Sequence, residues 1–323
     1  MPRTAQSTYP SEAPAAKGGG GWLKALLVLL VIGGLIAGGA LWALHKLGDI
    51  SLFQSSGCTA TSSTGTMSLD LEQAKDAATI AAVGLSLGVP AFGIEVAEAT
   101  ARQESKLHNL NYGDRDSVGL FQQRPSQGWG TTAQIMDPVY SSTKFYQALV
   151  RVSGWQQLTL TQAAQAAQQS GTPDAYAQWQ QFATVVSDVF TGSAGSGLGC
   201  TLDGPTFAAQ SKGSALLIAR GQGVLDDLRA QFGTANVGTV SGIGSDGLSF
   251  DVAAPASVSG TAAGTRVWAY ANWATAQAET LGVAAVSYGG KTWTASAGSA
   301  GWKSDSAAAA NSSGVHIVMV NGS

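Results

Sequence analysis

From Ala25 to Leu44 the chain reads ALLVLLVIGGLIAGGALWAL, twenty residues without a charge. A helix of that length and hydropathy covers a bilayer core of about 30 Å, so the run predicts a transmembrane helix at 25–44. Trp22 and Trp42 stand where interfacial aromatics belong. Arg3, Lys17 and Lys24 precede the run and only Lys46 follows closely. That imbalance predicts a single-pass cell-membrane protein with its N-terminus cytoplasmic and everything beyond about Leu47 extracytoplasmic. The alternative is a cleaved signal peptide ending near Ala37-Gly38-Gly39, which the length of the run argues against.

Around this run the composition divides the chain. Residues 1–24 carry Pro2, Pro10, Pro14 and a GGGG run, and read as a disordered cytoplasmic tail. Gly, Ser and Thr dominate the ends of 45–66 and 191–205, which read as linkers. Two domains remain, 67–190 and 206–323. The first shows helical periodicity in DLEQAKDAATIAAVGLSLG, in AFGIEVAEATARQES after Pro90, in SSTKFYQALVRV, in TLTQAAQAAQQS and in PDAYAQWQQFATVVSDVF, with no period-two alternation. An all-α domain is expected there. The second alternates helices (Ala215–Phe232, Arg266–Leu281) with strands (Leu248–Val252, Ala284–Ser287, Lys291–Thr294, Val315–Val320), which predicts an α+β domain. Cys58 and Cys200 flank the first domain, so one disulfide closing its base is expected, the alternative being two unpaired thiols. A net charge of −3 offers no basic surface of the kind nucleic acid requires.

Only 11% of the residues are charged, yet ATARQESKLHNLNYGDRDSVGLFQQRPSQGWG, Ala99 to Gly130, concentrates polar side chains and turn formers. On the helix before it, Ile94, Ala97, Ala101 and Glu104 are spaced by three, four and three, so Glu104 continues an apolar stripe. Glu98 and Arg102, four apart on another face, are expected to pair in solvent. A carboxyl held against apolar walls has its charged form disfavoured and can donate a proton near neutral pH, which is what a general acid requires. Gly119, Gly128 and Gly130 permit close approach of backbone to a ligand. Gln122, Gln123 and Trp129 supply amide hydrogen bonds and an aromatic face, the groups a sugar meets in a groove.

Glu104-Ser105 closing a helix, followed after a turn-rich gap by Gly119-Leu120-Phe121-Gln122, resembles the lytic transglycosylase and goose-type lysozyme family, in which a Glu-Ser pair precedes a Gly-Leu-Met-Gln-like motif. GDRDSVGLFQQRPSQGWG also resembles a segment of actinobacterial exported proteins of that kind. The resemblance covers about 67–190. It implies a lysozyme-like helical fold that opens the β-1,4 bond between N-acetylmuramic acid and N-acetylglucosamine in peptidoglycan. It makes Glu104 the catalytic acid, with Ser105 orienting it and Gln122 beside the cleft; Ser105, Gln122, Gln123 and Trp129 are the expected substrate-binding set. Phe121 replaces the usual methionine. The family's downstream Ala-Tyr-Asn-Ala-Gly-like motif falls on Ala167-Gln168-Gln169-Ser170-Gly171, without the tyrosine or the asparagine. A single acid serves the transglycosylase route, whereas hydrolysis wants a second carboxylate, for which Asp114 and Asp116 are candidates. For both, local turn capping is the competing role.

SDGLSFDV, VWAYANWATAQAETLG, AAVSYGGKTWTA and VHIVMV together resemble a zinc D,D-carboxypeptidase-type domain, whose metal is held by a His-x6-Asp pair and a later His-x-His. Asp251 and His316 match two ligand positions, but Gly244 and Gly314 occupy the other two, and catalytic zinc needs three protein ligands. The second domain is therefore expected to be non-catalytic, with no metal or other cofactor. Asp251 and His316 are equally readable as ordinary polar strand residues. Trp268, Trp273, Trp293 and Trp302 are expected in its core. The expected partners are peptidoglycan and, through the N-terminal helix, the membrane. Two other readings stay open: a groove that binds glycan without cutting, and a scaffold within an envelope, secretion or conjugation machine.

Overall fold

A computed structural model describes residues 56–168, 175–204, 206–309 and 313–322. In chain order these form β1 (Gly57–Ser62), β2 (Gly65–Leu69), α1 (Leu71–Ser86), α2 (Ala91–Ser105), α3 (Thr132–Ile135), α4 (Pro138–Leu149), α5 (Leu160–Gln168), α6 (Gln180–Phe190) and β3 (Leu198–Thr201). There follow α7 (Ala219–Phe232), β4 (Val240–Ser241), β5 (Ser249–Ala253), α8 (Gly260–Ala276), α9 (Ala278–Leu281), β6 (Val283–Tyr288), β7 (Lys291–Thr294), β8 (Lys303–Ser304), α10 (Ser306–Ala309) and β9 (Gly314–Met319).

Local chemistry starts the helices where the periodicity places them. Asp70 and Gln73 form a capping box on α1, Thr159 and Gln162 do the same before α5, and Asp137 caps α4 ahead of Pro138. These side chains satisfy N–H groups that a helix end would otherwise leave unpaired.

The fold is mixed α/β with two antiparallel sheets, which corrects the all-α expectation for the first half. A three-stranded sheet of order β2-β1-β3 packs on α6; β1 and β3 lie in the stretches expected to be linkers, and β2 crosses from the first of them into the expected helical domain. Its sequence reason is alternation: in β1, Cys58 and Ala60 are buried while Thr59 and Thr61 face outward. Threonine favours the pleated strand, and this period outweighs the Gly/Ser content of the same segment. Cys58 and Cys200 sit directly opposite across β1 and β3 and form a disulfide, with Cα atoms 4.0 Å apart.

The second sheet has the order β4-β5-β9-β6-β7-β8. Helix α8 packs on it and also against α1 and α6, so the helical and sheet halves share one continuous core. The buried amide of Asn272 on α8 donates to the carbonyls of Val189 and Gly195, both at 2.8 Å. The indoles of Trp293 and Trp302 donate to Cys200 and Leu198. Trp273 and Trp293 are buried, and Trp268 and Trp302 pack edge to face. The segment 191–204 is thus sewn into the fold.

The expected tail at 1–24 and transmembrane helix at 25–44 lie outside the described residues. Among the described residues no helix is long and apolar enough to cross a membrane. The longest, α8 with 17 residues, spans only about 25 Å at 1.5 Å per residue. The single-pass topology and its cell-membrane location are corrected accordingly, since nothing in the described fold supports them.

Candidate functional site

Helix α2 runs through the middle of the helical half, with Ile94, Ala97 and Ala101 fully buried. Glu104 follows them at the same face, half-buried where the helix ends. The end is abrupt: Lys106 and Leu107 both take left-handed backbone, φ 59° and 62°, and the buried Leu107 side chain holds the turn in place. Among the described residues the non-glycine positions with positive φ are Lys106, Leu107, Arg115 and Gln122, all within seventeen residues of the polar stretch. Each such conformation costs on the order of 1 kcal/mol, and persists only where the surroundings over-determine it.

What over-determines it is a network of backbone pairs. Val118 and Gln123 form an antiparallel bridge, and the buried Ser105 hydroxyl donates to the Leu120 carbonyl at 2.7 Å. Gly119, at φ 80°, donates to the Leu110 carbonyl, and a Cβ there would stand 2.8 Å from the Ile135 carbonyl oxygen. A Cβ at Gly113 would overlap the Gln122 amide. The turn-rich loop is thereby folded tightly against the end of α2.

The result is a groove of about 860 Å³ with Glu104 in its wall. Asp114, Arg115, Gln122, Gln123, Arg124 and Trp129 line it from the loop. Lys144, Gln147, Ala148 and Arg151 line it from α4 and the turn after it. The structure therefore gathers Glu104, Gln122, Gln123, Trp129 and Asp114 around one concavity. Ser105 stands apart from the lining: it is buried and works as the pin between α2 and the loop. Gln123 is also largely structural, its amide donating to the Ser141 carbonyl at 3.2 Å.

Burial raises the pKa of Glu104 above its ordinary value. A smaller opposing influence comes from Tyr176, whose hydroxyl donates to Oε1 at 2.7 Å and favours the carboxylate. The two other candidate carboxylates differ sharply from it. Asp116 accepts from Arg124 Nε at 2.8 Å, from the Ser126 amide at 2.8 Å and from the Ser126 hydroxyl at 3.0 Å. Those bonds hold its carboxyl well below the usual range, so Asp116 braces the loop. Asp114 does line the groove, but its side chain is 90% exposed and faces Arg115 at 3.8 Å.

Three features escape sequence reasoning. Tyr176 lies beyond the expected downstream motif, and nothing local marks it as a partner of Glu104. The groove-facing residues of α4 follow a three-one-three spacing that is visible in sequence, but only the fold says which face is wet. Glu98 is fully buried with no hydrogen-bond partner, so its expected pairing with Arg102 in solvent is corrected. Helix α2 is buried on nearly every side, which removes the solvent face such a pair requires. Arg102 lies instead over the rings of Trp179 and Phe182.

In the second sheet, Asp251 on β5 and His316 on β9 stand directly opposite each other, with Nδ1 2.7 Å from Asp251 Oδ1. A carboxylate can only accept, so Nδ1 carries the proton. Ser287 on β6 and Thr292 on β7 continue the row, their hydroxyls 2.7 Å apart, and Thr292 donates to Asp305. Among the described residues no three His, Cys, Asp or Glu side chains are grouped so as to hold a metal ion. No protein-family model matches the chain, and no curated protein matches it.

Proposed function

We propose that the groove binds a β-1,4-linked amino-sugar polymer of the peptidoglycan type and cleaves it by the lytic transglycosylase route, with Glu104 as both acid and base. The observation that carries this reading is a half-buried carboxyl of raised pKa, hydrogen-bonded by a buried tyrosine, in the wall of an open groove of amides and one indole.

Protonated Glu104 gives its proton to the glycosidic oxygen as the bond from that oxygen to C1 of the muramic residue breaks. The resulting carboxylate, still held by Tyr176, takes the proton of the same sugar's 6-hydroxyl while that oxygen bonds to C1. One C–O bond breaks and one forms, no water is consumed, and Glu104 ends protonated for the next cycle. A hydrolytic route would want a second carboxylate to activate water. Asp116 is committed to Arg124, and Asp114 is exposed to solvent. The Trp129 face and the Gln147 amide supply stacking and hydrogen bonds for sugar rings, whereas the Gln122 Nε2 is held within the loop by the Tyr112 and Gly119 carbonyls, both at 3.2 Å.

The test is digestion of purified peptidoglycan by the protein and by its Glu104→Gln variant, with products identified by mass spectrometry. Anhydro-muropeptides from the parent, reduced about 10²–10⁴-fold in the variant, are expected. Reducing-end products from the parent would replace the transglycosylase route with hydrolysis. Glycan binding without any product would replace catalysis with recognition.

A further inference from the structure

The wall of the groove opposite the Glu104 loop is one face of α4 and the turn that follows it. Lys144, Gln147, Ala148 and Arg151 recur at intervals of three, one and three, while Ser141, Ser142, Phe145, Tyr146 and Leu149 turn into the core. Lys144 lies within α4 and Arg151 two residues past its end, so the two cations stand about two turns apart along this wall.

The lining holds four cations, Arg115, Arg124, Lys144 and Arg151, against Asp114 alone once Glu104 carries its proton. This is unexpected in a chain with 17 basic and 20 acidic residues. The two cations on the loop side already have anionic neighbours: Arg124 is bound by Asp116, and Arg115 faces Asp114. The two on the helix side do not. Among the described residues no ion pair engages Lys144 or Arg151; the Lys144 ammonium lies 5.3 Å from the Tyr140 ring centre, and Arg151 is exposed. A concave wall with uncompensated positive charge focuses its field on whatever occupies the groove.

We propose that the groove selects a glycan bearing anionic substituents, with Lys144 and Arg151 engaging them while Glu104 addresses the sugar bond. This rests on the glycan-cleaving reading and adds the charge class of its substrate. The anion is a carboxylate of a peptide attached to the sugar or a phosphate ester on the sugar; the shared chemistry is a tetrahedral or planar oxyanion within reach of an ammonium and a guanidinium.

The experiment measures binding to the full chain carrying Glu104→Gln, which suppresses turnover, by calorimetry at low and at high salt. Three tetrasaccharides of equal length are compared: a neutral N-acetylglucosamine oligomer, a muramyl-peptide oligomer with free carboxylates, and a phosphorylated oligomer. At low salt at least one anionic ligand is expected to bind about tenfold tighter than the neutral one, from two partly screened charge contacts. High salt and the pair Lys144→Gln with Arg151→Gln should each collapse that ratio towards one, whereas Lys144→Arg with Arg151→Lys should preserve it. The arm that shows the preference identifies the anion as carboxylate or phosphate. Equal binding of neutral and anionic sugars would overturn the proposal and leave the glycan reading standing. A preference that survives both neutralising substitutions would also overturn it. No binding of any of the three sugars would remove the glycan reading, and this proposal with it.

Discussion

Tyr176 reaches Glu104 across 72 residues of sequence, and its hydrogen bond to Oε1 adjusts the balance at the acid. Burial pushes the carboxyl up and the phenol pulls it back, which suits a group that must give a proton and then accept one. In a Tyr176→Phe variant the lowering influence is gone, so the Glu104 pKa rises further. The basic limb of the pH–rate profile, where a general acid loses its proton, is then expected to move to higher pH. The loss of positioning should lower kcat by about 10-fold. An unmoved limb would show that the phenol does not tune Glu104. The position of Glu104 itself was readable from spacing alone, because three buried residues on one helical stripe point to the fourth. Tyr176 was not, since a contact between distant segments leaves no local period.

At the scale of elements, α1 and α2 meet over two carboxyls with no hydrogen-bond partner, Asp76 and Glu98. Burial dominates both, pushing Asp76 up to about 7 and Glu98 well above its ordinary value. Lys75, at 3.8 Å, and His108 favour the charged form of Asp76, while Glu72 and Asp70 oppose it. Glu98 faces Asp76 and the buried Tyr146 of α4, which is itself pushed up. Because the folded pKa of Asp76 exceeds its unfolded value of 3.8, the native state holds the extra proton between about 4 and 7. Stability from this group is full below that window, falls as pH rises through it, and is flat above. Asp76→Asn should therefore flatten the decline and exceed the parent in stability at pH 8 by on the order of 2–4 kcal/mol, read from urea midpoints at pH 5 and pH 8. An unchanged pH slope would exclude Asp76 as its source. Sequence placed Glu98 in solvent because the charge pattern with Arg102 is a surface pattern; the surrounding alanines of α2 carried the opposite message. Composition likewise hid β1 and β3, whose alternation runs through residues typical of linkers.

Over the whole molecule, the described residues beyond 55 belong to one compact unit in which α8 serves both the helical half and the large sheet. The disulfide joins residues 142 apart, a loop whose closure entropy amounts to about 5 kcal/mol in the unfolded chain. The Cys58→Ser, Cys200→Ser double variant is expected to unfold at lower denaturant by about 3–5 kcal/mol, with the cooperative transition split if the two halves then melt separately. A variant as stable as the parent would mean that the shared core alone holds the ends together. The pairing was foreseeable from two cysteines flanking a helical stretch; the strands that carry them were not. Because those strands lie side by side, everything between Cys58 and Cys200, the groove included, hangs as a closed bight from a single covalent knot. The shortest covalent path from the strand that carries Cys58 to the half after Cys200 therefore runs through that bond and bypasses the backbone of the groove.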